Sequence, residues 1–582
     1  MLDAVTRALQ RSAPPTRGRP IPRLSGGLPV LGHTVEFVRS TIELLFRAHR
    51  ELGEVAAFDV LHRRMVAVFG PAAHEAVFRA ADEQLSPAEA YKIMTPVFGK
   101  DIVYDAPPAK MAEQLKMLLP ALKDRRMRTY GEAVVKETAD SIAGWGEVGV
   151  LDFVAFCRVL TNFTSSRCLL GPEFRDGMNE EFASVYHDLE QGVTPLAYLH
   201  ANLPIPAFAR RDKARVRMVE MIGRIIDSRR RESRQGEDFL QTLMEAHYSD
   251  GKALSEHEIT GLLLAAMFAG HHTSSVTTAW ALIELLRHPE HLRRAVAEID
   301  GVFRGGQAVS HGALRELGFV ENVVKETLRL HPPLFMLVRV VKQEFTYRDY
   351  VFPVGTWIVI SPTVAHRIAE HFPDPDAFVP ERFAPPREED KRDFAYIAFG
   401  GGRHKCLGNA FAILQIKAIL ALLLGQYEFA LAGDKIDADF QGLVVGPKEP
   451  CRIRYRRRDQ PTVTTHTAAE LSRLAEARDA QAAGCPVDHA TPKAEGCPVD
   501  HRGAAATTGT DAHRALEVSL DRDLCQGHAA CAGEAPDLFR LAADGKVEAL
   551  QSSIPAALAA RARAAAAFCP TRAIRLREIE GS

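Results

Sequence analysis

FGGGRHKCLG, residues 399–408, places a single cysteine, Cys406, in a glycine-rich loop just ahead of an apolar stretch, NAFAILQIKAILALLL. Glycines let backbone amides approach a flat ligand closely, and the N-terminus of a following helix stabilises a thiolate. The residues describe a cysteine prepared to bind iron, against the ordinary alternative of a core cysteine in a turn. Upstream, ETLR (326–329) sets Glu326 and Arg329 on one helical face, within reach of a bidentate ion pair, and PERF (380–383) adds Arg382. Between these two motifs, FTYRDYVFPVGTWIVISP (345–362) predicts a hairpin with a Pro-Val-Gly turn. Earlier still, ITGLLLAAMFAGHHTSSVTTAWALIELLRH (259–288) predicts a long buried helix whose polar middle is where chemistry is expected.

A chain of 582 residues exceeds what one core usually serves, so two or more domains are expected. Lys+Arg (72) and Asp+Glu (74) nearly cancel, leaving no global field toward nucleic acid or anionic lipid. The N-terminal stretch carries Arg and Pro where a signal peptide needs apolar residues, and no run predicts a transmembrane segment; a cytoplasmic protein is expected. Nine cysteines are too sparse for a disulfide scaffold, and their clustering near the C-terminus suits metal ligation.

After an N-terminal tail (1–26), residues 27–458 alternate long helical patterns with a few strands, predicting one large, mainly α domain with small β-sheets. Residues 459–512 turn to Thr, Ala, Gly and Asp and read as a flexible linker, with one helix-prone piece at 468–483. GCPVDH occurs there twice, at 484–489 and 496–501. Cys485, His489, Cys497 and His501 formally offer zinc ligands, yet no core surrounds them, and duplicated linker sequence is the preferred reading. Strand and turn signals resume over 513–582, a small α+β domain of a size that needs a metal or disulfide staple.

The cysteine loop resembles that of the cytochrome P-450 superfamily, with Phe399, Gly402, Cys406 and Gly408 at its pattern positions, and Glu326, Arg329 and Arg382 match its paired motifs. AGHHTSS (269–275) matches its oxygen-activation segment. The resemblance implies a haem-thiolate monooxygenase fold, haem b held through Cys406 and cradled by Phe399 and Gly402, and Thr273 as the hydroxyl beside the oxygen being activated. Most relatives carry an acidic residue before that threonine, where this chain has His272.

His272, His404 in the cysteine loop, and YKIMTPVFGKDIVYDAP (91–107) resemble the sterol 14α-demethylases in particular, and HDLEQG (187–192) adds Glu190. By that resemblance Tyr91, Tyr104, Arg339 and His404 bond the haem propionates, and Tyr91, Ile93, Phe98 and Tyr104 face the sterol. Glu190 and His272 gate protons toward Thr273 through the polar segment His271 to Ser275. The plainer readings are core aromatics for the tyrosines and, for Thr273, a hydroxyl bonded to its own helix.

DLCQGHAAC (523–531) and AFCPTRAI (567–574) supply Cys525, Cys531 and Cys569, the last followed by Pro570, which is similar to bacterial ferredoxins. His528 stands where a four-iron site has a further cysteine, so a 3Fe-4S cluster is expected. Ligation by His528 would give 4Fe-4S instead, and zinc on the same residues is a third option.

The resemblance implies that a sterol loses its 14α-methyl group in three successive oxidations, each using dioxygen and two electrons. Those electrons come from an NAD(P)H-dependent ferredoxin reductase through the fused ferredoxin. The alternatives are hydroxylation of another terpenoid or a fatty acid and, outside enzymes, a haem sensor or electron carrier. CRIRYRRR (451–458) and the acids Glu517, Asp521, Asp523, Glu534 and Asp537 are candidate docking charges or simply solvated runs.

Overall fold

The computed structural model describes residues 18–122, 124–176, 180–192, 202, 204–232, 238–304, 307–433, 435–440, 444–463, 515–522, 525, 531–532, 535, 537–542, 546–569 and 573–579. The chain divides near Thr462 into two compact units. Both GCPVDH copies, the helix-prone piece at 468–483 and His528 lie outside the described residues.

The first unit is built around the helix Glu256–Arg287, which opens with a capping box: the Ser255 hydroxyl accepts from the Glu258 amide while the Glu258 carboxylate accepts from the Ser255 amide. Its apolar flanks pack against the helices Phe153–Leu170, Gly318–Leu330 and Asn409–Gln426. The last of these is apolar and long enough to cross a membrane, but 78% of it is buried inside the structure, which makes it a core helix.

A five-stranded sheet flanks the helices in the order Val55–Val60, Arg63–Val68, Trp357–Ile360, Leu337–Val341, Leu85–Ser86. Side-chain alternation splits its core in two: Val66 and Val68 join one buried cluster, Met65 and Ala67 another. The expected hairpin is present but turns elsewhere. Phe345–Tyr347 pairs with Tyr350–Phe352 around Arg348 and Asp349, with Arg348 at φ +50°. Pro353 to Gly355 instead redirects the chain into Trp357–Ile360, a strand of the larger sheet, because the Gly355 amide donates to Val341 O at 2.8 Å.

Packing extends past the expected limits of 27 and 458 at both ends. The Leu24 amide donates to Ala57 O at 2.8 Å, and Arg458 and Thr462 both bond the carboxylate of Asp300. In the second unit a three-stranded antiparallel sheet sets Ala515–Leu520 between Ser553–Ile554 and Ile574–Ile579, beside a Phe539–Leu541/Val547–Ala549 hairpin and the helix Ala559–Phe568. This is the small α+β domain expected from the sequence.

One buried base of the first unit makes folding pH-dependent. His74 is fully enclosed, its Nδ1 bonds Phe394 O at 3.0 Å, and burial lowers its pKa to about 4. Between that value and the ordinary 6.5 the unfolded chain binds the extra proton and the folded chain does not, so stability is lost as pH falls through this window. The loss at pH 5 relative to pH 7 is about 2 kcal/mol. Urea midpoints at the two pH values, compared with those of His74→Gln, measure it: the variant is expected to lose less.

Candidate functional site

The loop 399–408 folds tightly because its glycines permit it. Gly400 and Gly402 take φ of +68° and +61°, and a Cβ on Gly402 would stand 2.0 Å from the Phe78 carbonyl oxygen. Glycine alone fits there. The Cys406 amide donates to Phe399 O at 2.9 Å and closes the loop. With Gly408 as N-cap of Asn409–Gln426, Cys406 lies at the positive end of that helix. Burial pushes its thiol up, while the Gly408 amide and the Lys405 charge pull it down. Cys406 is accessible, although the surrounding protein desolvates its thiol.

The central helix presents the matching feature. Ala265, Ala269, His272, Thr273 and Val276 are accessible or half-buried and fall on one stripe, whereas Met267, His271, Ser274 and Ser275 between them are buried. The Thr273 hydroxyl lies on this stripe and donates to Ala269 O at 2.6 Å, bonded within its own helix. Beside it, Glu190 Oε1 stands 2.8 Å from His272 Nε2 and 3.4 Å from His271 Nδ1. Burial pushes the Glu190 carboxyl up, but the two imidazoles outweigh it and bring it down to about 2. Burial also lowers His271, leaving a neutral imidazole against an ionised carboxylate.

Tyr91, Tyr104, Arg339 and Cys406 meet in one neighbourhood despite their sequence distance. The two tyrosine rings are 5.0 Å apart, and the Val338 amide donates to the Tyr91 hydroxyl at 3.5 Å. Burial pushes the Tyr104 phenol up to about 12, and it also feels Tyr91, Arg339, Cys406 and Asp82. His404 has a partner that the sequence did not announce: its Nε2 is 2.6 Å from Asp82 Oδ1. Phe98 stacks edge-on against Phe268 of the central helix, and Ile93 is buried against Phe208.

Glu326, Arg329 and Arg382 form one fully buried group. Arg329 grips Glu326 at 2.7 and 2.9 Å, and Arg382 reaches the same carboxylate at 3.1 Å. Three further residues that the sequence reading did not single out support the site. Gln114 accepts from the Val103 amide and donates to Asp101 O, fixing the segment that holds Tyr104. Tyr186 has its phenol raised by burial and then by Glu190 one helical turn away; that spacing was visible in the sequence. Asp82 is the third.

In the second unit Cys525, Cys531 and Cys569 are all buried in one core with Leu516, Leu538 and Phe539. Burial, then Cys569 and Cys525, push the Cys531 thiol up to about 11. The Val547 and Ala573 amides donate to the sulfurs of Cys525 and Cys569, both at 3.3 Å. Buried thiols with amide donors suit an iron–sulfur cluster, whose sulfurs take such bonds. Among the candidate docking charges, Glu517 pairs with Arg577, Asp537 with Arg561 and Arg456 with Glu428.

A glycine-bound cysteine loop at a helix N-terminus, with the tyrosines and arginine gathered near it, suits a haem-thiolate protein. Residues 22–453 match the family model described as Cytochrome P450, and residues 518–576 match one described as a 4Fe-4S single cluster domain. The chain belongs to the cytochrome P450 family, and its first unit groups with the sterol 14α-demethylases. It is 41% identical over 452 residues to the sterol 14α-demethylase of Mycolicibacterium vanbaalenii, covering 76% of this chain and 99% of that one. The sterol 14-demethylase of Arabidopsis thaliana is 39% identical, covering 75% and 91%, and the lanosterol 14-alpha demethylase of Bos taurus 34%, covering 77% and 89%. The solved heme domain of cytochrome P450DA shares the fold at TM-score 0.69 and 20% identity, over 77% of this chain and all of that one.

Haem is the group that this family implies, and the residues fit it. Cys406 offers an accessible sulfur with an amide donor, and Tyr91, Tyr104 and Arg339 gather hydroxyl and guanidinium donors nearby.

Proposed function

We propose that the chain removes the 14α-methyl group of a sterol by three successive oxidations, drawing electrons from its own C-terminal ferredoxin. The observation that carries this reading is identity of 34–41% to enzymes named for that reaction in a bacterium, a plant and a mammal, over nearly their whole length. Haem, when bound, supplies dioxygen activation, which its thiolate ligand favours. The chain's own part is to hold Cys406 as ligand, to offer Tyr91, Tyr104, Arg339 and His404 to the propionates, and to shape an apolar pocket with Ile93 and Phe98. Glu190 and His272 then gate protons toward Thr273. A first unit that ends near Thr462 and a separate C-terminal unit suit this division of labour.

With three cysteines and His528 between the first two, we assign a 3Fe-4S cluster on Cys525, Cys531 and Cys569; the description of the matching family model names the four-iron form. An NAD(P)H-dependent ferredoxin reductase is the external donor. A tether makes the transfer to haem intramolecular, raising effective concentration toward the millimolar range. Adding 14α-methyl sterols to the haem-loaded protein is expected to shift the Soret band, and reductase with NADPH is then expected to release formate. Soret shifts only with fatty acids or other terpenoids would make the chain a different hydroxylase.

A further inference from the structure

His271 is the most confined member of the Glu190 group, with 2% of its side chain exposed. Its Nε2 lies 2.9 Å from Arg158 O, and a carbonyl only accepts, so the ring proton is on Nε2. Nδ1 therefore presents a lone pair, and it has no hydrogen-bond partner. It points at Glu190 Oε1, which also lacks a hydrogen-bond partner although His272 Nε2 is 2.8 Å away. Two acceptors 3.4 Å apart in a buried site call for a cation between them. The three ligand atoms lie within 4.8 Å of one another, close to the spacing that metal–ligand distances of about 2.0–2.2 Å produce around one ion. A metal-bound histidine usually donates its other ring N–H to a carbonyl, the bond His271 makes to Arg158.

We propose that Glu190, His271 and His272 bind one divalent cation of the zinc type, beside Thr273 on the central helix. Two imidazoles and a carboxylate are a common zinc donor set, and water completes the four. The ion would occupy the carboxylate and imidazole to which the proposed function gives proton traffic, so zinc would be an inhibitor acting at the proton gate. This consequence rests on that reading; the binding itself does not.

Zinc sulfate titrated into the full-length, haem-loaded protein against a chromophoric chelator is expected to show one more bound equivalent than in Glu190→Gln. Linker cysteines and histidines are common to both proteins and cancel. His272→Gln is expected to weaken the same equivalent roughly tenfold or more. Equal zinc uptake by the wild type and both variants, each with its carbon monoxide spectrum intact, overturns the site. Zinc is also expected to cut sterol product roughly 10²-fold, reversibly with EDTA. The extra equivalent with undiminished product would support the metal site and overturn the proton role.

Discussion

Glu326→Gln is expected to cost the first unit about 3–5 kcal/mol, because it leaves the buried Arg329 guanidinium without its counter-charge and Arg382 with only Glu389, at 3.4 Å. Glu326, Arg329 and Arg382 have no exposed surface. The carboxylate accepts from Arg329 at 2.7 and 2.9 Å, from Arg382 at 3.1 Å and from the Val379 amide at 2.8 Å. Buried ion groups can often be exchanged for apolar residues without loss. Here that exchange is expected to fail. The guanidiniums also donate to the carbonyls of His366, Pro373, Pro375 and Ala377, and methionines at 329 and 382 would orphan those oxygens. The triple variant Glu326→Leu, Arg329→Met, Arg382→Met should therefore unfold at a urea midpoint as low as that of Glu326→Gln. A midpoint restored to the wild-type value would show that the group contributes charge balance alone.

Cys406→Ser is expected to separate chemistry from folding. A hydroxyl at this position stays protonated at neutral pH and cannot push electron density toward a bound iron as a thiolate does. Product formation should fall by at least ~10³-fold, or about 4 kcal/mol of barrier. The loop is closed by main-chain bonds, from the Cys406 amide to Phe399 O and between Gly402 and Lys405. The Gly408 amide that donates to sulfur can donate to a hydroxyl instead. Stability without haem should consequently change by less than ~1 kcal/mol. The reduced carbon monoxide spectrum is the direct readout, and an unchanged thiolate band in the variant would remove Cys406 as the ligand.

The closed loop around Cys406, the buried Glu326 group and the gathering of Cys525, Cys531 and Cys569 in one core were legible because each depends on residue types that sit in short motifs. The central helix was legible from its apolar run and polar middle. His404 was assigned to a haem propionate on resemblance alone, and nothing in the sequence could pair it with Asp82, 322 residues away. The hairpin turn was misplaced because Pro-Val-Gly is stronger turn chemistry than Arg348-Asp349, yet the larger sheet claims Trp357–Ile360 as its own strand. Tertiary pairing outweighed local preference there. Thr273 shows the reverse: the local bond to Ala269 O is the ordinary fate of a helical threonine, and its place on the accessible stripe comes only from packing.

The amides of Val547 and Ala573 aimed at Cys525 and Cys569 have a consequence for redox tuning. Such donors withdraw density from sulfur and make a cluster easier to reduce. Both come from the main chain, so changing the side chain at 547 or 573 leaves them in place unless proline is introduced. The share of electron affinity that these two bonds would give a cluster is thus fixed by backbone geometry rather than by the side chains at 547 and 573.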